Sequence, residues 1–169
     1  MTRWYGLEPA DAAIFTSAGQ LYRFPIRLQV QPARVWESLA SDQSVAAWGP
    51  GVHRVTWTSP RPFGVGTTRE VVLPLGAATV REHFFRWDEG AGYSFYATEM
   101  NRPGMRRFAE NYTVETDGSG SLLTWTIAIE AHPRASAAMK ALGPLNKFAF
   151  GQVARSAKSY FAKHPVTPR

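Results

Sequence analysis

Apolar and polar residues alternate from Leu21 to Val30: Tyr22, Phe24, Ile26, Leu28 and Val30 share one face, and Arg23, Arg27 and Gln29 share the other. This two-residue period predicts a half-buried strand. Pro32 then stands at a good first helical position, with Val35, Trp36 and Leu39 at helical spacing. Ser41 and Asp42 offer a new N-cap, and a second short helix is expected over Gln43–Trp48, ending at Gly49, Pro50 and Gly51. Six further strands are predicted over Val52–Thr58, Val65–Leu73, Ala78–Trp87, Tyr93–Met100, Phe108–Thr116 and Leu122–Glu130. The segments "SPRPFG", "PLGA", "DEGAG", "NRPGM" and "DGSG" between them are too short for crossover helices, so the strands form antiparallel hairpins.

From Pro133 to His164 the period becomes helical. Leu142, Leu145, Phe148, Ala149, Val153, Ala157, Tyr160 and Phe161 recur at helical spacing, and Lys140, Lys147, Arg155 and Lys158 take the opposite side. Gly143 and Pro144 break this segment, so the main helix is expected from Pro144. The order is strand, two short helices, six strands and a long helix, an α+β arrangement. Residues 1–20 read as an N-terminal extension, 21–164 as one domain and 165–169 as a C-terminal tail.

Composition narrows the function. The 169 residues, 44% hydrophobic and 13% aromatic, suffice for one core of ordinary size. The formal charge of +6 would attract anionic partners. The basic residues are scattered, however, the tightest group being Arg102, Arg106 and Arg107, with no basic run interleaved with aromatics; a nucleic-acid partner is not expected. The absence of Cys excludes disulfides, thiolate metal sites and a Cys nucleophile, and fits a cytoplasmic setting. There is no apolar run of membrane-spanning length and no secretory leader, so a soluble protein without integral membrane association is expected.

The element order, with "PARVWESLASDQSVAAWGPGV", "VGTTREVV", "VREHFFRWDEGAGYSF" and "DGSGSLLTWTI", resembles the START-like helix-grip superfamily (SRPBCC), in particular its polyketide cyclase/dehydrase and lipid-transport group. The resemblance spans Phe24 to Phe161. It implies a seven-stranded curled antiparallel sheet around the long C-terminal helix, a cavity between them, and the segment bearing Trp36 and Trp48 as a lip at its mouth. Such proteins include carriers, cyclases and enzyme subunits, and no fixed catalytic signature transfers to this chain.

Aligning the hairpins with minimal loops and the apolar parity inward predicts what would line that cavity. Arg69 faces Glu82, and the row continues through Ala97, Glu110 and Ile127. The next row reads Phe84, Phe95, Tyr112 and Trp125, an aromatic band beside a polar one. Trp48 from the lip and Phe148 from the helix complete the expected lining. Arg69 and Glu82 form either a structural ion pair or part of a site. Glu110 has no basic partner in its row, so burial would raise its pKa and suit it to act as acid, base or hydrogen-bond donor. Tyr112 is a packed core residue or a second proton-handling group. His53, His83, His132 and His164 fall on outer or boundary positions, Glu99 on the cavity rim, and no clustering suggests a metal. Gly64 and Gly66 precede a strand, which argues against a phosphate loop.

Three functions follow. The first is a carrier or binding protein for a small hydrophobic molecule, aromatic, polyketide-like or lipid-like, without cofactor. The second is a cyclase or dehydratase using Glu110, Arg69 and Tyr112, with neither metal nor nucleotide. The third is an interaction module using the basic helix face or the Arg102–Arg107 loop.

Overall fold

The computed structural model describes residues 2–49 and 51–165. Pro50, expected at the end of the second short helix, and residues 166–169 of the expected tail lie outside them. The chain runs β1 (Tyr5–Gly6), α1 (Ile14–Ser17), β2 (Gln20–Leu28), α2 (Pro32–Leu39), a 3₁₀ turn (Ser44–Trp48), β3 (Arg54–Trp57), β4 (Thr68–Val72), β5 (Thr79–Asp88), β6 (Gly92–Met100), β7 (Met105–Asp117), β8 (Gly120–Ala131), α3 (Ser136–Ala141) and α4 (Gly143–Lys163). The sheet order is β2-β8-β7-β6-β5-β4-β3, all antiparallel, and α4 packs on β2 and on the Ser44–Trp48 turn. This is the expected α+β helix-grip arrangement, with an eighth strand, β1, paired to β6.

Local sequence explains most boundaries. Pro32 opens α2, where a missing backbone donor costs nothing. Ser41 Oγ accepts from Ser44 N at 3.0 Å, while Asp42, the other expected cap, pairs with Arg61 instead. The second short helix tightens to a 3₁₀ turn. The strand expected from Val65 begins at Thr68; Val65 is 69% exposed, and Gly66 (φ +89°) turns the chain so that its N–H reaches Phe84 O. Bulges between Arg81 and Glu82 and between Phe84 and Arg86 bend β5 and help the sheet curl. At Gly92 (φ +146°) a Cβ would stand 2.0 Å from Tyr112 O, so only glycine lets β6 lie this close to β7.

The expected strand registers hold for β4–β5 (Arg69 opposite Glu82), for β5–β6 (Glu82 opposite Ala97, Phe84 opposite Phe95) and for β7–β8 (Glu110 opposite Ile127, Tyr112 opposite Trp125). Between β6 and β7 the register differs by two residues. Phe95, not Ala97, lies opposite Glu110, and Tyr93, not Phe95, lies opposite Tyr112. The cause is a splay: β6–β7 pairing stops at Tyr96–Ala109, and the N-terminal segment enters the gap. Tyr5 and Gly6 pair with Met100 and Glu99, Leu7 N donates to Thr98 O and Glu8 N to Arg106 O. Residues expected to extend beyond the domain thus complete the sheet, and Ile14 of α1 packs on Ala109 and Ala128 of its other face.

The helix phase holds for Val153, Ala157, Tyr160 and Phe161 and differs from expectation only in the first part of the segment. Leu142, Leu145 and Phe148 are 47%, 61% and 61% exposed, and Ala149 is exposed too. The inward face comprises Phe150, Val153, Ala154, Ala157, Tyr160 and Phe161. α4 begins afresh at Gly143, separated from α3 by Leu142, so its rotation is set by the Ala154–Phe161 end that packs tightly on the core.

Candidate functional site

Two polar groups face inward from the sheet. Arg69 on β4 is 2% exposed, and its Nε donates to Glu82 Oε2 on β5 at 2.5 Å. Its Nη1 donates to Ser44 Oγ at 3.0 Å and to Tyr93 OH at 3.5 Å. The guanidinium lies 4.7, 5.0, 5.2 and 5.6 Å from the ring centres of Phe95, Phe84, Trp57 and Tyr93, which partly replace lost hydration. Burial opposes the Arg69 charge, yet the Glu82 carboxylate more than restores it. Burial likewise pushes the Glu82 carboxyl up, against the pull of Arg69. The two groups satisfy each other inside the fold.

Ser44 is fully buried with φ +46°, an uncommon conformation for a residue with a Cβ. Its hydroxyl donates to Leu39 O at 2.8 Å while accepting from Arg69, so the turn after α2 is locked onto the ion pair. Sequence reasoning missed both Ser44 and Tyr93. Nothing in the local pattern marks Ser44, whereas Tyr93 shares the inward parity of Phe95.

Among the described residues Glu110 on β7 has no cationic partner in contact. Its Oε2 accepts from Tyr112 OH at 2.7 Å and from Trp125 Nε1 at 2.9 Å. Among the described residues no hydrogen bond reaches Oε1; the side chain is half-buried and faces a pocket. Burial and then the nearby Glu82 charge push the carboxyl up to about 7, against the two hydrogen bonds and Arg69. Burial, and then Glu110, raises the Tyr112 phenol. Near neutral pH the Glu110 carboxyl can therefore give or take a proton, or bond a donor or an acceptor.

The pocket occupies about 270 Å³ between the sheet and α4. Arg69, Glu82, Glu110 and Asn146 are its polar lining; Val71, Val80, Met100, Phe108, Phe150 and Val153 dominate the rest, with Tyr112 and Trp125 beside Glu110. Val45 and Gly51 bring the turn after α2 to the same space. Of the residues expected in the lining, Arg69, Glu82, Glu110, Tyr112 and Trp125 meet there. Phe84 and Phe95 instead stack around the Arg69 guanidinium, and Ala97 is sealed opposite Glu82. Trp48 is 3% exposed, donates Nε1 to Ser38 Oγ at 3.0 Å and packs between Tyr112 and Phe161, forming core rather than lining. Phe148 points away, onto an outer groove beside β2, for the reason of helix phase given above.

Trp36 also has a role that its spacing did not reveal. Its Nε1 donates to Glu89 Oε1 at 2.8 Å, and Trp87 Nε1 donates to Glu89 Oε2 at 3.0 Å, which together hold that carboxyl low and tie α2 to the β5–β6 turn. Glu99, expected on the rim, pairs with Arg81 at 2.6 Å near β1. Among the described residues no group of three or more His, Asp or Glu side chains is placed to hold a metal, and no helix is long and apolar enough to cross a membrane.

Residues 23–160 match the family model described as polyketide cyclase / dehydrase and lipid transport. The chain belongs to this family. Within the curated proteins, uncharacterized proteins of Mycobacterium tuberculosis and Mycobacterium bovis are each 32% identical to it over 156 residues, covering 92% of this chain and 93% of the relative. Among solved structures, a Thermus thermophilus protein superposes with a TM-score of 0.70 at 13% identity, covering 87% of this chain and all of that one. The major latex-like protein 151 of Panax ginseng gives 0.65 at 14%, covering 88% and 98%. At such identities these neighbours show a shared fold alone.

Proposed function

We propose that this protein binds a small hydrophobic molecule in the pocket between the sheet and α4, as a carrier or binding protein. One observation carries the reading: a free carboxyl oxygen of Glu110 opens on a largely apolar, partly enclosed space. Such a space with few fixed polar groups is how small-molecule sites are built. Since Arg69 and Glu82 satisfy each other, Glu110 and Asn146 are the polar groups left to orient a polar substituent. About 270 Å³ is just below the roughly 300–1,000 Å³ of drug-sized sites, which favours a compact aromatic ligand over a long acyl chain. No metal or nucleotide is needed for this role, and the absence of Cys is in keeping with a cytoplasmic setting.

Native mass spectrometry of freshly purified protein is expected to show a retained small molecule, or else uptake of a fluorescent apolar probe. Val71→Phe, which fills the space from β4, is expected to reduce either signal at least tenfold while preserving the far-ultraviolet circular dichroism. An empty wild type that also takes up no probe refutes the reading.

A second reading, an enzyme of the cyclase or dehydratase type, rests on the Glu110 carboxyl near 7 in contact with Tyr112. Here Glu110 would exchange a proton with the bound molecule, and Arg69 would set the local field while engaged by Glu82 and Ser44. Turnover lost in Glu110→Gln, with ligand still bound, separates the enzyme from the carrier.

A further inference from the structure

Charge is segregated along the chain. All thirteen acidic residues precede Ala131, accompanied by twelve arginines; the 39 residues from Ala131 onward carry seven Lys and Arg, including every lysine, and no acidic residue. In the first part seven of the twelve arginines have a carboxylate partner among the described residues, as in Arg27–Asp117, Arg61–Asp42, Arg81–Glu99 and Arg107–Glu130. In α3 and α4, no carboxylate among the described residues pairs with Lys140, Lys147, Arg155 or Lys158. Arg155 donates to Gln152 Oε1 within its own helix, and among the described residues none of the four charges ties one element to another.

A second observation is independent of charge. Leu142, between α3 and α4, and Leu145 and Phe148 in the first half of α4 project into solvent. Phe148 stands with Lys147, Arg155 and Lys158 along an open groove of about 580 Å³ that reaches Phe24 and Ile26 of β2. An acidic protein or a nucleic acid would answer the lysines and leave the leucines and Phe148 without a role. A bilayer answers both, because apolar side chains enter the headgroup–acyl boundary while the long Lys and Arg stems lift their charges to the headgroups.

We propose that the outward face of α3 and α4, from Lys140 to Lys158, docks on an anionic lipid bilayer, with Leu142, Leu145 and Phe148 inserted and Lys140, Lys147, Arg155 and Lys158 at the headgroups. α4 lies along the surface and does not span. The inference does not depend on what fills the pocket, although Asn146, Phe150 and Val153 on the reverse of the same half-helix line it. A docked α4 would hold the pocket one helix thickness, about 10 Å, from the lipid.

Co-sedimentation with vesicles of phosphatidylcholine alone and of phosphatidylcholine mixed with phosphatidylglycerol tests this. Binding is expected only to the mixed vesicles, falling as salt is raised. Lys147→Gln with Lys158→Gln should weaken it about tenfold or more, and Leu145→Ser with Phe148→Ser should weaken it comparably with charge unchanged. All four sites are exposed, so unchanged melting temperatures are expected. No wild-type binding to mixed vesicles, or equal binding to phosphatidylcholine alone, overturns the proposal. So does binding lost in the Gln pair but kept in the Ser pair, which would mark a soluble polyanion as the partner.

Discussion

Arg69→Met is expected to lower stability by about 3–5 kcal/mol, since it leaves Glu82 buried with no counter-charge. The loss extends beyond the ion pair: Ser44, held at φ +46°, and Tyr93 lose the donor that joins them. Arg69→Met with Glu82→Leu removes both charges from the same space and should recover most of the deficit, because a buried pair contributes little over an apolar pair of similar volume. Urea unfolding of the wild type and the variants at neutral pH measures this. Without Arg69, burial alone acts on Glu82 and raises its folded pKa further. The folded single variant then binds a proton that the unfolded chain has released, and its deficit shrinks as pH falls. A double variant no more stable than the single one would show that the loss comes from packing around the guanidinium and not from the stranded carboxylate.

Glu110→Gln is expected to stabilise the protein above neutral pH. The folded carboxyl stands at about 7 against an ordinary value of 4.5. Between those values the folded state holds a proton that the unfolded state has lost, so stability falls as pH rises through the window and stays reduced above it. The difference corresponds to at most about 3 kcal/mol, and water in the pocket lowers that figure. Gln keeps an oxygen to accept from Tyr112 and Trp125 but carries no charge. Unfolding midpoints at pH 5 and pH 8 should therefore separate for the wild type more than for the variant. Parallel behaviour would mean that the carboxyl is well solvated, which would also weaken the ligand reading.

The register successes and failures share a physical origin. Arg69–Glu82 follows from a tight connection, "PLGA", and Glu110–Ile127 from the Asp117–Gly120 turn; in both, loop length and inward parity leave one solution. β6–β7 fails because Leu7 and Glu8, ninety residues away, take up Thr98 and Arg106. A long-range strand leaves no mark on the hairpin it wedges apart. Leu145 and Phe148 mislead for another reason: apolar periodicity signals burial only where burial is the reason for the residue. The aromatic set was legible as inward, but not its division between pocket wall and the shell around Arg69. That depends on where one guanidinium comes to rest.

The wedge of β1 between β6 and β7 bears on where the chain can be shortened. The stretch matching the family begins at residue 23, after β1 and α1 and within β2. A fragment trimmed to that stretch would uncover the Thr98 and Arg106 carbonyls in a notch of the sheet and bare Ala109 and Ala128 where Ile14 had covered them. Such a notch accepts any extended peptide, including the same strand from a neighbouring molecule, so truncation invites strand exchange and self-association.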